Sequence, residues 1–386
     1  MESVELVKEI TATMTLHLPG TVGKIANKMR YIDANAPRFL HGQVIRAIPQ
    51  ARFEQVKAVG IASVSKFLPA FGGVLYGAAA LRHDVSVTGS RVVDTFQDSR
   101  IDINDMNYLA TRQRLTWKEY LLVYQLLSDL FAETTLPDII LLDIPLLVAR
   151  TQQTGTLEDE DIEEEWQEVM STMTTFWENN LSRIFPENPQ GPMLVSVSTR
   201  HFGAVLNAIR EQGELASPEA VNSEAIELIS QEWGRLREVG IMRTIQGMLR
   251  GGRRTSAYYY DALGREVLRA EPKIVSNYGL IGLHARIGLR TPVWQLETLG
   301  NRESGGWTTA DLDRLCSLIA YLTLHDHPEI APLPLWYARR LVEMPREVLV
   351  SYLRETIRLL REQTVDEAWL EGIDAFDENM SEGVQL

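Results

Sequence analysis

Two carboxylates stand where chemistry could use them. Residues 137–146 read PDIILLDIPL, and the apolar run Ile139 to Leu142 ends in Asp143. A continuous apolar strand needs cover on both faces, so the run reads as a buried central strand with an acid at its C-terminal edge. The plainer alternative is that Asp143 only caps the turn that follows. Glu119 sits in a helical pattern in which Leu115, Tyr120, Leu121, Tyr124, Leu127 and Leu130 recur at steps of three and four. Taken alone it reads as an exposed helix acid. Gathered at one point, such carboxylates are the hard oxygen ligands that Mg2+ or Mn2+ takes, and two ions about 3.5–4 Å apart can drive an in-line displacement at phosphorus. His325-Asp326-His327 is the one dense cluster of metal-capable residues. On a strand its two histidines would share a face, but just before Pro328 it reads as a loop between helices. There is no phosphate loop of the G-x-x-x-x-G-K-[ST] kind, no H-E-x-x-H and no G-x-S-x-G.

A second chemistry is phosphate binding. Between Gln231 and Ala270 eight Arg face four acids, among them Arg250, Arg253 and Arg254, in a chain whose net charge is −14. Arg200 follows another apolar run, Met193 to Ser198. Counterion release needs clustered Lys and Arg, so the overall charge argues against a generic nucleic-acid coating protein. A local basic groove on an acidic body is still allowed, as is a partner with a basic surface. The plain alternative for the Arg cluster is a surface hairpin with scattered cations.

The elements that must position these groups alternate in type. Residues 1–56 read as helical at first and then mixed, with turn signals at Pro19-Gly20 and Pro37. Val56–Ser65 and Val74–Leu81 read as a hairpin across Gly72-Gly73, and a third strand is expected around Ser86–Val93. A helix over Asn104–Phe131 follows, then the strand ending at Asp143. The acids from Glu158 to Glu165 crowd the start of an amphipathic helix within 156–183, where the macrodipole favours them, and read as a solvated face. Helix is expected again near Ser223–Val239, strands at Ser256–Tyr260 and Val267–Ala270 around a turn at 261–264, and helices over Ala310–Leu324 (capped by Thr308), Trp336–Val342 and Pro345–Gln363. Residues 1–50 form an N-terminal helical docking region, 51–365 the α/β domain, and 366–386 an acidic tail. With a single Cys316 no intramolecular disulfide can form, which fits a reducing cytoplasm. MESVELVKEI is not a secretory signal, and no apolar run reaches ~18 residues, so no membrane span is expected.

Several segments together resemble the NurA family, prokaryotic DNA-end-resection nucleases with an RNase H-like core. That family opens its core with an apolar strand ending in Asp-Gly-Ser, then a Gly-rich turn and a second strand. Ala58-Val59-Gly60-Ile61-Ala62-Ser63 and Gly72-Gly73-Val74-Leu75-Tyr76-Gly77 stand in those places. Its helix with a Glu is similar to Arg114–Gln125, with Glu119 at the acid, and its Leu-Leu-Asp-Gly-Pro-Leu strand is similar to residues 141–146. A later Leu-x-x-Gly-x-Arg-Ser segment resembles residues 249–256, an Arg-x-Glu-x-Pro-like element resembles Arg269-Ala270-Glu271-Pro272, and a proline-led helix resembles Pro334–Arg339. The ordered set spans roughly residues 50–350.

The resemblance implies an RNase H-like mixed sheet flanked by helices, with helical insertions. It implies Glu119 and Asp143 as remnant catalytic and metal-binding acids, with Mn2+ or Mg2+ as cofactor, or none. It also implies that Arg200, Arg250, Arg253 and Arg254 contact DNA, and that a homodimer docks on a HerA-like hexameric ATPase in DNA processing or defence against foreign DNA. Two departures stand against activity. From Gln55 to His83 there is no Asp or Glu, so the first family acid, expected at Ile61 or within a residue or two, is missing. Arg339 stands where the family has its late His. The expected protein is therefore an impaired nuclease that guides DNA. The alternatives are an active enzyme that recruits Asp84 or Asp94, and an adaptor that binds protein alone.

Overall fold

The computed structural model describes residues 2–89, 91–149, 160–199, 205–259, 270–271, 278–301, 306–324, 326–327 and 329–363. Arg200, the turn expected at 261–264, His325 and the acidic tail lie outside the described residues. The elements in chain order are α1 (Glu2–His41), β1 (Ile45–Ala47), β2 (Val56–Ala70), β3 (Gly73–Thr88), β4 (Arg91–Met106), α2 (Thr111–Ala132), β5 (Ile139–Leu142), β6 (Val148–Ala149), α3 (Glu160–Asn180), β7 (Met193–Ser198) and α4 (Val205–Gln212). They continue with α5 (Ser223–Gln231), α6 (Trp233–Val239), α7 (Ile241–Met248), β8 (Arg253–Thr255), β9 (Tyr258–Tyr259), β10 (Ala270–Glu271), β11 (Tyr278–Arg286), β12 (Trp294–Asn301), α8 (Thr309–Leu322), α9 (Leu333–Leu341) and α10 (Arg346–Glu362).

One ten-stranded sheet runs in the order β1-β8-β11-β12-β7-β5-β2-β3-β4, with β9 paired to β11. The inner strands β7, β5 and β2 are parallel, and antiparallel strands flank them on both sides. All four residues of β5 are buried. Ile140 and Leu142 join a cluster built with α2 and α3, while Ile139 and Leu141 join one built with α8 and α9. Successive residues on a strand face opposite ways, so helices cover both faces of the sheet, as a run of continuous apolar character requires. The expected adjacency of Val56–Ser65 and Ile139–Asp143 holds: Ile61 pairs with Leu142.

β2 and β3 form a hairpin closed by Phe71-Gly72, both at positive φ (52° and 77°). Two residues in that conformation make the turn whose twist matches the strands, and glycine supplies one of them without strain. The strand expected at Ser86–Val93 is two strands: the chain turns after Gly89 (φ 58°), so Ser86–Thr88 end β3 and Arg91 opens β4. The helix expected from Asn104 starts at Thr111, because Asn104–Met106 still pair with β3. The larger correction is α1, which runs through both prolines. Burial of Ile32, Ala36 and Phe39 against the core holds it through Pro37, since tertiary burial outweighs the local helix penalty of proline; nothing in the structure explains the tolerance of Pro19. Thr308 caps α8 in a reciprocal box with Asp311. No helix among the described residues is long and apolar enough to cross a membrane.

Candidate active-site cleft

The cleft forms where the C-terminal end of β5 meets the middle of β2. The Asp143 backbone N–H donates to the Ile61 carbonyl (3.1 Å), which fixes the residue after β5 against β2. Its carboxylate accepts from Arg339 Nε at 3.1 Å, and the same guanidinium donates through Nη2 to the Val197 carbonyl on β7 at 3.0 Å. Arg339 reaches this point because α9 packs directly on the backbone of β2. A Cβ on Gly60 would sit 2.3 Å from the Pro334 carbonyl carbon and 2.4 Å from Leu335 N, so only glycine admits the helix there.

Glu119 approaches from the other helix layer. On β2, Ser63 and Ser65 share a face by the period of two, and both point at α2. Ser65 Oγ donates to Glu119 at 2.5 Å and Ser63 Oγ at 3.3 Å. Ser63 also lines the cavity that contains Asp143, Arg339, Lys66 and Glu343, about 370 Å3 in volume. Ser63 thus bonds Glu119 and also lines the cavity that holds Asp143. Ile61, where the first acid was expected, is fully buried on the α2 side of β2; Ser63, two residues on along the same face, is the residue that meets Glu119. Ser63, Ser65, Lys66 and Glu343 were missed from sequence. The period-two serines in an otherwise apolar strand were the available signal, because a polar face on an inner strand must find a partner.

A hard divalent cation takes six or more oxygens in a compact shell, most of them anionic in a nuclease site. Asp143 instead holds a guanidinium and Glu119 accepts two hydroxyls. No group of three or more His, Cys, Asp or Glu around a common point occurs among the described residues. These residues do not fit a nuclease metal centre.

The other expected site residues are placed as follows. Arg254 is fully buried. It donates to Glu219 at 2.8 and 2.6 Å and to Asp313 at 2.8 Å, so it is an interior ion-pair residue and not part of a phosphate-binding surface. The reason is its register on β8, paired to β1 on one side and β11 on the other. Arg250 is exposed and pairs with exposed Asp33 of α1 at 2.9 Å. Arg253 is half-buried at the start of β8. Asp84 is held by Arg82 through two bonds of 2.8 and 2.5 Å and is not among the residues lining the cleft with Asp143. Asp326, in the loop between α8 and α9, accepts the backbone N–H groups of Leu289, Arg290 and Thr291, so it clamps a turn. The acidic start of α3 is not wholly solvated: Glu165 ties α3 to α2 through Arg114, at 2.6 and 3.1 Å.

No family model matches the chain, and no curated protein matches it in sequence. Among solved structures, the NurA nuclease from Sulfolobus solfataricus is similar over 88% of this chain and 97% of its own, at 13% identity and a TM-score of 0.50. A further NurA crystal structure matches over 95% and 98% at 10% identity and a TM-score of 0.44. NurA bound to dAMP and manganese matches over 89% and 94% at 10% identity and a TM-score of 0.42. At such identities the likeness is one of fold, and the mixed sheet with helices on both faces that carries this cleft is the fold of the NurA nuclease.

Proposed function

We propose that this chain is a non-cleaving, DNA-guiding subunit that works with a hexameric DNA-translocating ATPase of the HerA type in DNA processing or defence against foreign DNA. The observation that carries the reading is the Asp143–Arg339 pair. In a two-metal nuclease the strand-end carboxylate must be free to bind a cation that stabilises charge on the scissile phosphate. Here a tethered guanidinium engages that carboxylate, and Glu119 accepts from two serines. On this reading the cleft has two acids, Glu119 and Asp143, and lacks the third that metal-dependent cleavage needs. DNA would meet the protein through Arg250 and Arg253, with Arg254 removed from that surface by burial.

The test is cleavage of plasmid and linear DNA in Mn2+, with and without the ATPase, beside calorimetry with Mn2+ alone. The expected result is intact DNA, no tight Mn2+ binding, and co-elution with the ATPase. Tight Mn2+ binding that is lost in Asp143→Ala would overturn the impairment, and absence of any association would overturn the partnership. A second reading, an adaptor that binds protein and not DNA, is favoured by the engagement of Arg254 with Glu219 and of Arg250 with Asp33. Arg250→Ala with Arg253→Ala separates the two. A DNA-guiding surface loses up to ~0.9 in salt slope per phosphate contact on duplex DNA, whereas an adaptor shows no slope to lose.

A further inference from the structure

β4 is an open edge of the ten-stranded sheet: among the described residues it pairs with β3 alone. The opposite edge, β1, is only three residues long. β4 instead keeps an unbroken register with β3 from Phe96 to Met106, ~34 Å at about 3.4 Å per residue. Proteins blunt such edges with short strands, proline, lysine or a bulge. The one register shift lies before this stretch, opposite Asp84 and Val85, and the stretch contains neither Pro nor Lys. Every second residue along it turns an N–H and a C=O away from β3. The side chains are patterned too. Ile101 and Ile103 share one face by the period of two. Ile103 packs on the cluster of Leu68, Met344 and Leu349, whereas Ile101 is 64% exposed. Asp98 and Asp102 share the other face. At the C-terminal end of the strand Asp105 opens onto a cleft of about 600 Å3, which the start of α3 lines with Asp161, Glu164 and Glu168. Arg114, the one cation lining that cleft, is already held by Glu165 and Asn107.

We propose that β4 takes an extended, basic segment of a partner protein as one more antiparallel strand of the sheet. Main-chain bonds to a free edge supply affinity, and the alternating side chains supply specificity. The segment sets apolar residues beside Ile101 and Ile103 and its Lys or Arg beside Asp98 and Asp102, where opposite charges on one face attract. Antiparallel pairing, the slightly more stable kind, brings the N-terminal end of the segment to the Met106 end of β4. Its first cations therefore reach the acidic cleft of Asp105, Asp161, Glu164 and Glu168. Charge selects this occupant over a second copy of the chain, which would bring an edge and a cleft of the same sign. The inference rests on β4 and its acidic neighbours, and it stands or falls apart from the DNA-processing reading.

The experiment is fluorescence anisotropy of a labelled, end-blocked peptide, Lys-Val-Lys-Val-Lys-Val-Thr-Val-Thr-Val, titrated with the full chain, together with amide hydrogen exchange. Binding that protects the amides of β4 is expected. Two further peptides separate strand addition from plain charge attraction, one N-methylated on its Val amides and one on its Lys and Thr amides. Only one alternate set of amides faces β4, so one peptide is expected to lose binding and the other to keep it. The peptide of reversed sequence, whose Lys residues sit at the far end from the cleft, should bind more weakly. Ile101→Lys should weaken binding about fivefold through the lost apolar pair. Asp105→Lys with Glu164→Lys should weaken it about tenfold at low salt and less at high salt. All three residues are exposed, so these variants keep the fold. No anisotropy change at any protein concentration would overturn the proposal. Equal loss from both methylated peptides would show that charge alone holds the segment and would overturn it too. Self-association of the parent chain in sedimentation velocity that disappears in Ile101→Lys would assign the edge to a second copy, with the same consequence.

Discussion

Replacing Arg254 by Ala should cost stability and not DNA affinity. The side chains of Arg254 and Glu219 are both fully buried, joined through two bonds of 2.8 and 2.6 Å, and Glu219 also accepts the Ala257 N–H at 2.7 Å. Asp313 is partly exposed and can be hydrated when it loses the guanidinium. Glu219 cannot, and keeps only the Ala257 amide and Arg46, whose Nε lies 3.5 Å away. Removing one partner of a buried ion pair costs about 3–5 kcal/mol because a charge is left uncompensated. The lower end is expected here, since Arg46 offsets part of the loss. Against a total stability of ~5–15 kcal/mol the change is easily read by urea unfolding. Adding Glu219→Ala to Arg254→Ala should recover part of the loss, a coupling that independent sites would not show. If Arg254→Ala unfolds within ~0.5 kcal/mol of the parent, the range of an ordinary surface change, and DNA binding weakens with it, the guanidinium is solvent-accessible and the reasoning fails.

Gly60→Ala should displace α9 by about 1 Å, because the Cβ meets only backbone atoms (2.3–2.5 Å) that cannot rotate away. A loss of ~2–3 kcal/mol in urea unfolding is expected, together with separation of Arg339 from Asp143, and an unchanged midpoint would refute the packing. Burial pushes the Cys316 thiol up to about 12, with the nearby Arg254 opposing. The native protein should therefore resist thiolate-directed labelling at neutral pH and react fully in denaturant. The sign for stability follows: the unfolded thiol ionises near 9.0, so its contribution is complete below that pH. It falls by ~1.4 kcal/mol per pH unit above it, and Cys316→Ala removes this component when the two unfolding profiles are compared.

Local sequence determined the kinds of elements and, for the inner sheet, their neighbours. The apolar runs at Val56–Ser65 and Ile139–Asp143 could be satisfied only between two helix layers, and they lie side by side there. Periodicity likewise located β7, α8, α10 and the C-terminal end of α2 to within a residue or two, and Thr308 marked the start of α8; the start of α2 was read seven residues too early. What sequence could not supply was which polar groups meet. Asp143 and Arg339 are 196 positions apart and touch because Gly60 lets α9 lie on β2. Arg254 looks like its neighbours in a basic run, yet a three-residue strand between β1 and β11 turns it inward onto Glu219, while Arg250 stays in solvent. The missing acid has the same origin. Reading along β2 could place it only near Ile61; Ile61 and Ser63 share the α2 face of the strand, and it is the docking of α2 that sets Glu119 opposite Ser63 and Ser65 and leaves Ile61 in the core. Burial and long-range pairing are properties of the assembled sheet. They set charge, hydration and reactivity at each site, and pattern along the chain carries only the part of them that repeats with the period of a helix or a strand.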